Sequence, residues 1–336
     1  MILIKVDIIG GSLGGLATAI TLKKKKPSID IFVHEKNKEI GYNHEGRRCG
    51  EAHTLNPQWI QWEPERNEVF NYIKYVEIYI GKEKLNVERP YNATCILNRQ
   101  KFISQLGEKA EKLGANVKTS DRIKSINELN GDFIVDASGC PSVVRRELNF
   151  SKGLIGYTYQ QTLEDSNFFK RDLMRLYYTG SIGYYWIFPR NPEKKEINLG
   201  VGFIGKLNFN LKEKLEEFKN KYGIKGDVNY TLGGLIPIGL QKPLKYKNIL
   251  FVGDAGVGAF PLTGEGIYRA LLSGEIAGSV ISQRNPNKYP FLVKRAFIKW
   301  DVVGKTITFV NSVARPINED LVLKMTKYFS KNLFLK

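Results

Sequence analysis

The chain opens with Ile2-Leu3-Ile4-Lys5-Val6-Asp7-Ile8-Ile9-Gly10-Gly11-Ser12-Leu13-Gly14-Gly15, and Leu16-Ala17-Thr18-Ala19-Ile20-Thr21-Leu22 follows. It returns at Ile29 and runs through His34 to Glu35 and Lys36. The first apolar, β-branched run has the length of a strand. The glycines break it, and Leu16 to Leu22 reads as a helix packed on both sides. A second strand, Ile29 to His34, ends at Glu35. Strand, glycine turn, helix, strand and acid, in that order, are the parts of a dinucleotide-binding βαβ unit.

Each part has a physical role. Gly10 allows the tight turn at the strand end, and Gly15 lets the helix lie close on the strand. The helix N-terminus, with Gly11, Ser12, Leu13 and Gly14 around it, offers N–H groups and a positive dipole end to a pyrophosphate. Glu35, with Lys36 beside it, stands where a carboxylate accepts hydrogen bonds from a ribose. The usual middle glycine is Ser12, small enough for close phosphate approach.

Outward from this unit, composition bounds the rest. The 336 residues suffice for one large domain or two ordinary ones. A hydrophobic content of 42% excludes global disorder. The net charge of +17 comes largely from scattered lysines. It suits nucleic acid, an anionic membrane or an acidic partner, or simply a lysine-rich soluble surface; the last is the favoured reading, and Lys23 to Lys26 read as the solvated end of the first helix. No apolar window is long enough to span a membrane, and the N-terminus lacks a signal-peptide layout. Cys49, Cys95 and Cys140 show no metal-ligand spacing, so a cytoplasmic protein with reduced thiols is expected.

Along the chain, Gly41 to His53 reads as a loop. Val76 to Ile80 and Leu85 to Val87 form a hairpin around Gly81-Lys82, and a helix opens near Arg99. Phe133-Ile134-Val135 then delivers Asp136-Ala137-Ser138-Gly139 to a sheet's carboxyl edge, where α/β ligands bind. From Leu154 the texture turns to β. Alternation in Tyr184-Tyr185-Trp186-Ile187-Phe188-Pro189 puts Tyr184, Trp186 and Phe188 on one face. Leu211 to Tyr222 is an amphipathic helix. Finally Ile249 to Val252 leads to Gly253-Asp254-Ala255, Pro261 and Gly264-Glu265-Gly266-Ile267, with a helix from about Tyr268 to Ser282.

Gly10 to Glu35, Asp136 to Gly139, and Gly253-Asp254-Ala255 with Pro261 and Gly264 to Ile267 resemble the three flavin-binding stretches of the para-hydroxybenzoate hydroxylase-like FAD superfamily. Arg99 with Phe102 and Leu106 is similar to the arginine-led helix beside the flavin in that fold. Within the superfamily, Arg48-Cys49-Gly50-Glu51 resembles the cysteine-glycine motif of geranylgeranyl reductases. Tyr184-x-Trp186-x-Phe188-Pro189, followed by Gly200-Val201-Gly202, resembles their substrate-domain signature. Ser181 departs from it, and the chain beyond Asp254 is shorter than in many such reductases.

The resemblance implies an α/β architecture: a Rossmann-type FAD domain (1–75, 94–153, 235–285), an inserted β-rich substrate domain (76–93, 154–234) and a helical C-terminus (286–336). It implies FAD as cofactor, a prenyl lipid as substrate, and NAD(P)H or ferredoxin as electron donor. Hydrogenation of a prenyl double bond would take a hydride from reduced flavin and a proton from Cys49, Tyr184 or a water. Tyr184, Trp186, Phe188, Gly200 and Gly202 would line the substrate, and Arg48, Cys49 and Gly50 would lie beside the flavin. Aligned aromatics also serve as ordinary core, and a lone cysteine as a small buried side chain. An aromatic hydroxylase or a flavoprotein redox sensor is the alternative. A tryptophan halogenase lacks support, since the second tryptophan of its signature is missing. No role is assigned to His34, His44 or His53.

From Asn318 onward, Leu321, Met325, Tyr328, Phe329 and Leu333 share one helical face, and Lys324, Lys327 and Lys331 another. Such a helix either closes the core or lies in an anionic membrane interface; a peripheral membrane contact is the second expectation.

Overall fold

The computed structural model describes residues 4–41, 49–55, 60–90, 92–179, 183–205 and 207–314. Arg48 and the segment after Asn318 lie outside the described residues. In chain order the elements begin with β1 (Lys5–Ile9), α1 (Leu13–Lys25), β2 (Asp30–His34), β3 (Ala52–Thr54), β4 (Val69–Tyr72), β5 (Tyr75–Ile80) and β6 (Glu83–Glu88). Next are β7 (Thr94–Leu97), α2 (Arg99–Lys112), β8 (Asn116–Lys118), β9 (Phe133–Asp136), α3 (Val143–Glu147) and β10 (Ile155–Glu164). β11 (Leu173–Tyr178), β12 (Gly183–Pro189), β13 (Ile197–Ile204), α4 (Leu211–Tyr222) and β14 (Asp227–Pro237) follow. The last are β15 (Lys245–Tyr246), β16 (Ile249–Phe251), α5 (Ile267–Ser282) and α6 (Tyr289–Ala314).

Two compact units emerge. The first takes residues up to 47, 99–155 and 236–303. Its six-stranded sheet has the order β15-β16-β9-β1-β2-β8. All neighbours run parallel except β15 with β16. Parallel strands are covered on both faces, hence their near-continuous apolar sequence. α1 is buried along almost its whole length, and its Leu16, Ile20 and Leu22 each contribute about 2 kcal/mol by burial. It packs backbone to backbone against α5. A Cβ on Gly274 would stand 2.3 Å from the Gly14 carbonyl oxygen, and one on Gly278 2.7 Å from that of Thr18.

The second unit takes 48–98, 156–235 and the chain from 304 onward, so that α6 begins in the first unit and ends in the second. Its seven-stranded sheet has the order β14-β10-β13-β12-β11-β5-β6. One face holds Ile78, Met174, Leu176, Trp186 and Phe188; the other carries Tyr177, Ile187 and Val201 against Leu215 and Phe218 of α4. The expected shared face of Tyr184, Trp186 and Phe188 is present. A separate antiparallel sheet, β3-β7-β4, joins this unit. Residues 48–75 and 94–98 therefore cluster here and not with the first unit, because Ile73 and Ile96 pack into the core that holds Trp186. His53, expected in a loop, lies in β3 opposite Cys95; three residues are too few for alternation to reveal a strand.

Candidate functional site

In the first unit the three glycine turns converge at the carboxyl ends of β1, β9 and β16. Gly10 has φ +103°, and a Cβ there would stand 2.5 Å from the Ala137 carbonyl oxygen. A Cβ on Gly15 would stand 2.1 Å from the Gly10 carbonyl oxygen, so α1 lies directly on the turn. Gly14 meets Gly253 in the same way, with 3.2 Å from a Cβ to the Gly253 nitrogen. The register Ile9–Asp136–Phe251 across three strands sets these contacts. Stretches more than a hundred residues apart in sequence thus share one edge.

Glu35 is drawn into that edge. Its Oε2 accepts the Gly11 N–H at 2.8 Å, and Oε1 accepts the Asn37 N–H at 2.9 Å. Behind it His34 sits between two carboxylates, Nδ1 2.8 Å from Asp121 and Nε2 3.2 Å from Asp7. Burial disfavours the charged imidazole, but Asp7 and Asp121 outweigh it and hold its pKa above the ordinary value. The clasp fixes the end of β2 and so the start of the Glu35 turn. Lys36 is exposed beside it.

Asp136 turns inward. It accepts the Ser138 N–H at 3.0 Å, and the Ser138 and Ser142 hydroxyls. Ser142 in turn caps α3 by accepting the Arg145 N–H. Burial raises the Asp136 pKa despite these hydrogen bonds. Its carboxylate orders the Ala137-Ser138-Gly139 turn, while Gly139, at φ +85°, faces open space.

Asp254 is half-buried on the turn after β16. Burial raises its pKa, and the Arg99 and Arg269 charges oppose that shift. A Cβ on Gly266, the N-cap of α5, would stand 3.9 Å from the Asp254 Oδ1, so that helix starts beside the carboxylate. Pro261 and Ile267 are buried, and Gly264, at φ +68°, turns the chain so that Phe260 N–H donates to Glu265.

Two arginines shape this turn from behind, and Arg269 belongs to none of the sequence motifs. Its guanidinium donates to the carbonyls of Val257 and Gly258 and pairs with Asp301 of α6 at 2.6 Å. Asp301 also accepts the Leu240 N–H. Arg145 donates to the carbonyls of Ala255, Gln241, Lys242 and Pro243. An arginine inside an apolar helix run is the one clue, since such a charge must find partners when buried.

The second unit joins the cysteine-glycine stretch to the aromatic row. A Cβ on Gly50 would stand 3.0 Å from the Phe188 ring, so that backbone lies on the aromatics. The Cys49 carbonyl accepts from Gln160 at 3.2 Å and from Asn198 at 3.3 Å. Gln160 Oε1 accepts the Trp186 indole N–H at 3.2 Å. Below them Arg190 bridges Glu51 and Glu196 and stacks over Phe70 at 4.0 Å. The Cys49 thiol accepts the Glu51 N–H at 3.1 Å. Trp186 and Phe188 are buried, while Tyr184 is half-buried against Tyr178 and Trp186. Gly200 and Gly202 leave the space the indole fills.

The donor set of the first unit fits a dinucleotide. Glu35 Oε2 has accepting capacity left for a ribose hydroxyl. Ser12 caps α1 without using its hydroxyl on the helix, which leaves that group and the first-turn N–H groups for a pyrophosphate. Among the described residues no His, Cys, Asp and Glu gather as a metal site, and no helix is long and apolar enough to cross a membrane.

The fold is that of flavin-dependent enzymes. A geranylgeranyl bacteriochlorophyll reductase-like protein from Thermoplasma acidophilum superposes with TM-score 0.82 at 22% identity, covering 93% of this chain and 88% of that one. A flavin-dependent halogenase superposes with TM-score 0.69 at 16% identity, over 98% and 70% of the two chains. In sequence, the chain is similar to digeranylgeranylglycerophospholipid reductases. That of Thermoplasma volcanium is 27% identical over 338 residues, 87% of this chain and 83% of that protein. That of Methanocaldococcus jannaschii is 28% identical over 306 residues, 82% and 74%. No family model matches the chain.

Proposed function

We propose that this chain is an FAD-dependent reductase that hydrogenates carbon–carbon double bonds of prenyl chains in lipids or their precursors. The observation that carries the reading is the convergence of Gly10, Ala137 and Gly253 on one sheet edge, with Glu35 at one side and Asp254 with the α5 N-terminus at the other. Its relatives' names supply the substrate class.

When bound, FAD supplies the hydride in its reduced form. The residues do the rest. Glu35 accepts from the ribose hydroxyls, and the α1 N-terminus and Ser12 hold the pyrophosphate. Arg99, Asp254 and the start of α5 bind the far end. Arg145 and Arg269 keep the Asp254 turn in shape through its carbonyls. The second carbon of the alkene needs a proton, for which Cys49, Tyr184 and water are the candidates. Trp186 and Phe188, being buried, support the Cys49–Gly50 backbone, and Tyr184 is the member of the row with surface to offer a prenyl chain. The electron donor is NAD(P)H or ferredoxin, and a lipid substrate calls for peripheral contact with a membrane.

Anaerobic incubation of chemically reduced protein with a geranylgeranyl lipid tests the reading by mass spectrometry. Gain of two hydrogens per reduced double bond supports it. An unchanged lipid, with hydroxylation of a phenol under oxygen, would favour the hydroxylase alternative.

A further inference from the structure

We propose that the outward face of α6 is a lipid-contacting surface that seats the protein on anionic membranes. The proposal rests on the reading above only in that a lipid-acting enzyme must reach its substrate. The surface itself is argued from the helix.

Between Tyr289 and Asp301, α6 is fixed by every fourth residue. Tyr289, Val293, Phe297 and Asp301 are buried. The Tyr289 hydroxyl donates to the Phe251 carbonyl at 2.7 Å, and Asp301 pairs with Arg269. The helix cannot roll, so its opposite face is a fixed feature.

That face is apolar where solvent should favour polar residues. Phe291 is 65% exposed, Ile298 43% and Val302 55%. At 100° per residue the three lie within about 40° of one another, along a line of about 16 Å. Exposed cations border the line, Lys294 and Lys305 on one side and Arg295 on the other. Among the described residues none of these three has a carboxylate partner. Asp301, the one acid in the helix sequence, is buried, so the outward face carries no negative charge.

The arrangement selects its partner. A narrow apolar line flanked by long cationic side chains lies in a lipid interface, the line at the acyl boundary and the amines reaching the headgroups. A second copy would bring like cations together, and three side chains a side fall well short of the ~1,000 Å² a stable interface needs. An acidic protein would use the cations but leave the exposed phenyl ring without a role.

Cosedimentation of the full chain, loaded with FAD, with vesicles of phosphatidylglycerol or phosphatidylcholine tests this. At low salt the wild type should bind phosphatidylglycerol and not phosphatidylcholine. Combined Phe291→Ser, Ile298→Ser and Val302→Ser should weaken binding at least about tenfold. Combined Lys294→Glu, Arg295→Glu and Lys305→Glu should do the same, each cation being worth about fivefold near such a surface. Melting temperatures should stay at the wild-type value, because these side chains are exposed. Wild-type protein that ignores phosphatidylglycerol, or serine and glutamate variants that bind it normally, would overturn the proposal. So would loss of self-association in the serine variant with vesicle binding unchanged. Turnover of prenyl lipid in detergent micelles separates the two ideas. Its absence in a wild type that binds vesicles through α6 would refute the reductase reading and leave this surface standing.

Discussion

The indole of Trp186 lies across the backbone of Gly200, close enough that a Cβ on Gly200 would stand 2.1 Å from the ring. The two residues face each other in register on β12 and β13. The Gly-x-Gly stretch is thus the floor on which the tryptophan rests, and through Gln160 the tryptophan holds the Cys49 carbonyl. Gly200→Ala should therefore destabilise the protein by about 1–3 kcal/mol through overpacking. It should also change the rate at which Cys49 reacts with iodoacetamide. Chemical denaturation and alkylation kinetics check both, and a wild-type result in each would detach Gly200 from the Cys49 loop.

Trp186→Ala should cost about 3–5 kcal/mol, as for a buried aromatic. Trp186→Phe should keep more of that stability yet loosen Cys49, since an aromatic ring remains while the N–H to Gln160 and part of the indole are removed. Equal stability losses in the two variants would show that the indole hydrogen bond, and not the ring, carries the effect.

Glu35→Ala should weaken FAD by about 1–3 kcal/mol, the cost of leaving ribose hydroxyls without a charged acceptor. It also frees the Gly11 N–H. Fluorescence titration of the apoprotein reads the change; an unaltered Kd would remove Glu35 from the cofactor site.

Arg269→Met should destabilise by about 3–5 kcal/mol because it leaves Asp301 buried and unpaired. Adding Asp301→Leu should restore part of that loss. Failure of the double variant to recover would mean that the Val257 and Gly258 carbonyls, not the ion pair, set the cost.

His53 sets an acid limit. Burial lowers its pKa from 6.5 to about 4, so the unfolded chain binds its proton first as pH falls. Stability is then complete above about pH 6.5 and declines by about 3 kcal/mol down to about pH 4. His34 has the opposite sign: its raised pKa gives stability that is complete below about pH 6.5 and is lost as pH rises through the folded value. Urea titrations across pH should show the acid slope flatten in His53→Gln and the alkaline loss vanish in His34→Gln. Slopes unchanged by either substitution would dissociate these histidines from the pH dependence.

Much of the first unit is legible in the sequence because parallel strands are continuous apolar runs and its glycines answer to backbone contacts. Gly10 and Gly15 have the close approaches their spacing implies. Alternation correctly puts Tyr184, Trp186 and Phe188 on one face, but it does not say what lies against them. Only the fold shows Gly50 on Phe188 and Gly200 under Trp186. Asp136 illustrates the same limit, since its place at a strand tip is readable and its inward turn to Ser138 and Ser142 is not. Arg269 can be suspected from its place in an apolar helix run, but its partners cannot be read, because they come from a distant helix and two loop carbonyls.

Under the proposed function a prenyl double bond, and not oxygen acting on an aromatic ring, accepts the electrons of the reduced protein. Anaerobic stopped-flow mixing of the photoreduced protein with a geranylgeranyl lipid tests it most directly, followed by the flavin absorbance and by product mass. Reoxidation is expected in step with saturation of the prenyl chain, and should be abolished when the lipid is replaced by its fully saturated form. Reduced protein that stays reduced with the lipid, and reoxidises only when oxygen and a phenol are admitted with formation of hydroxylated product, would contradict it.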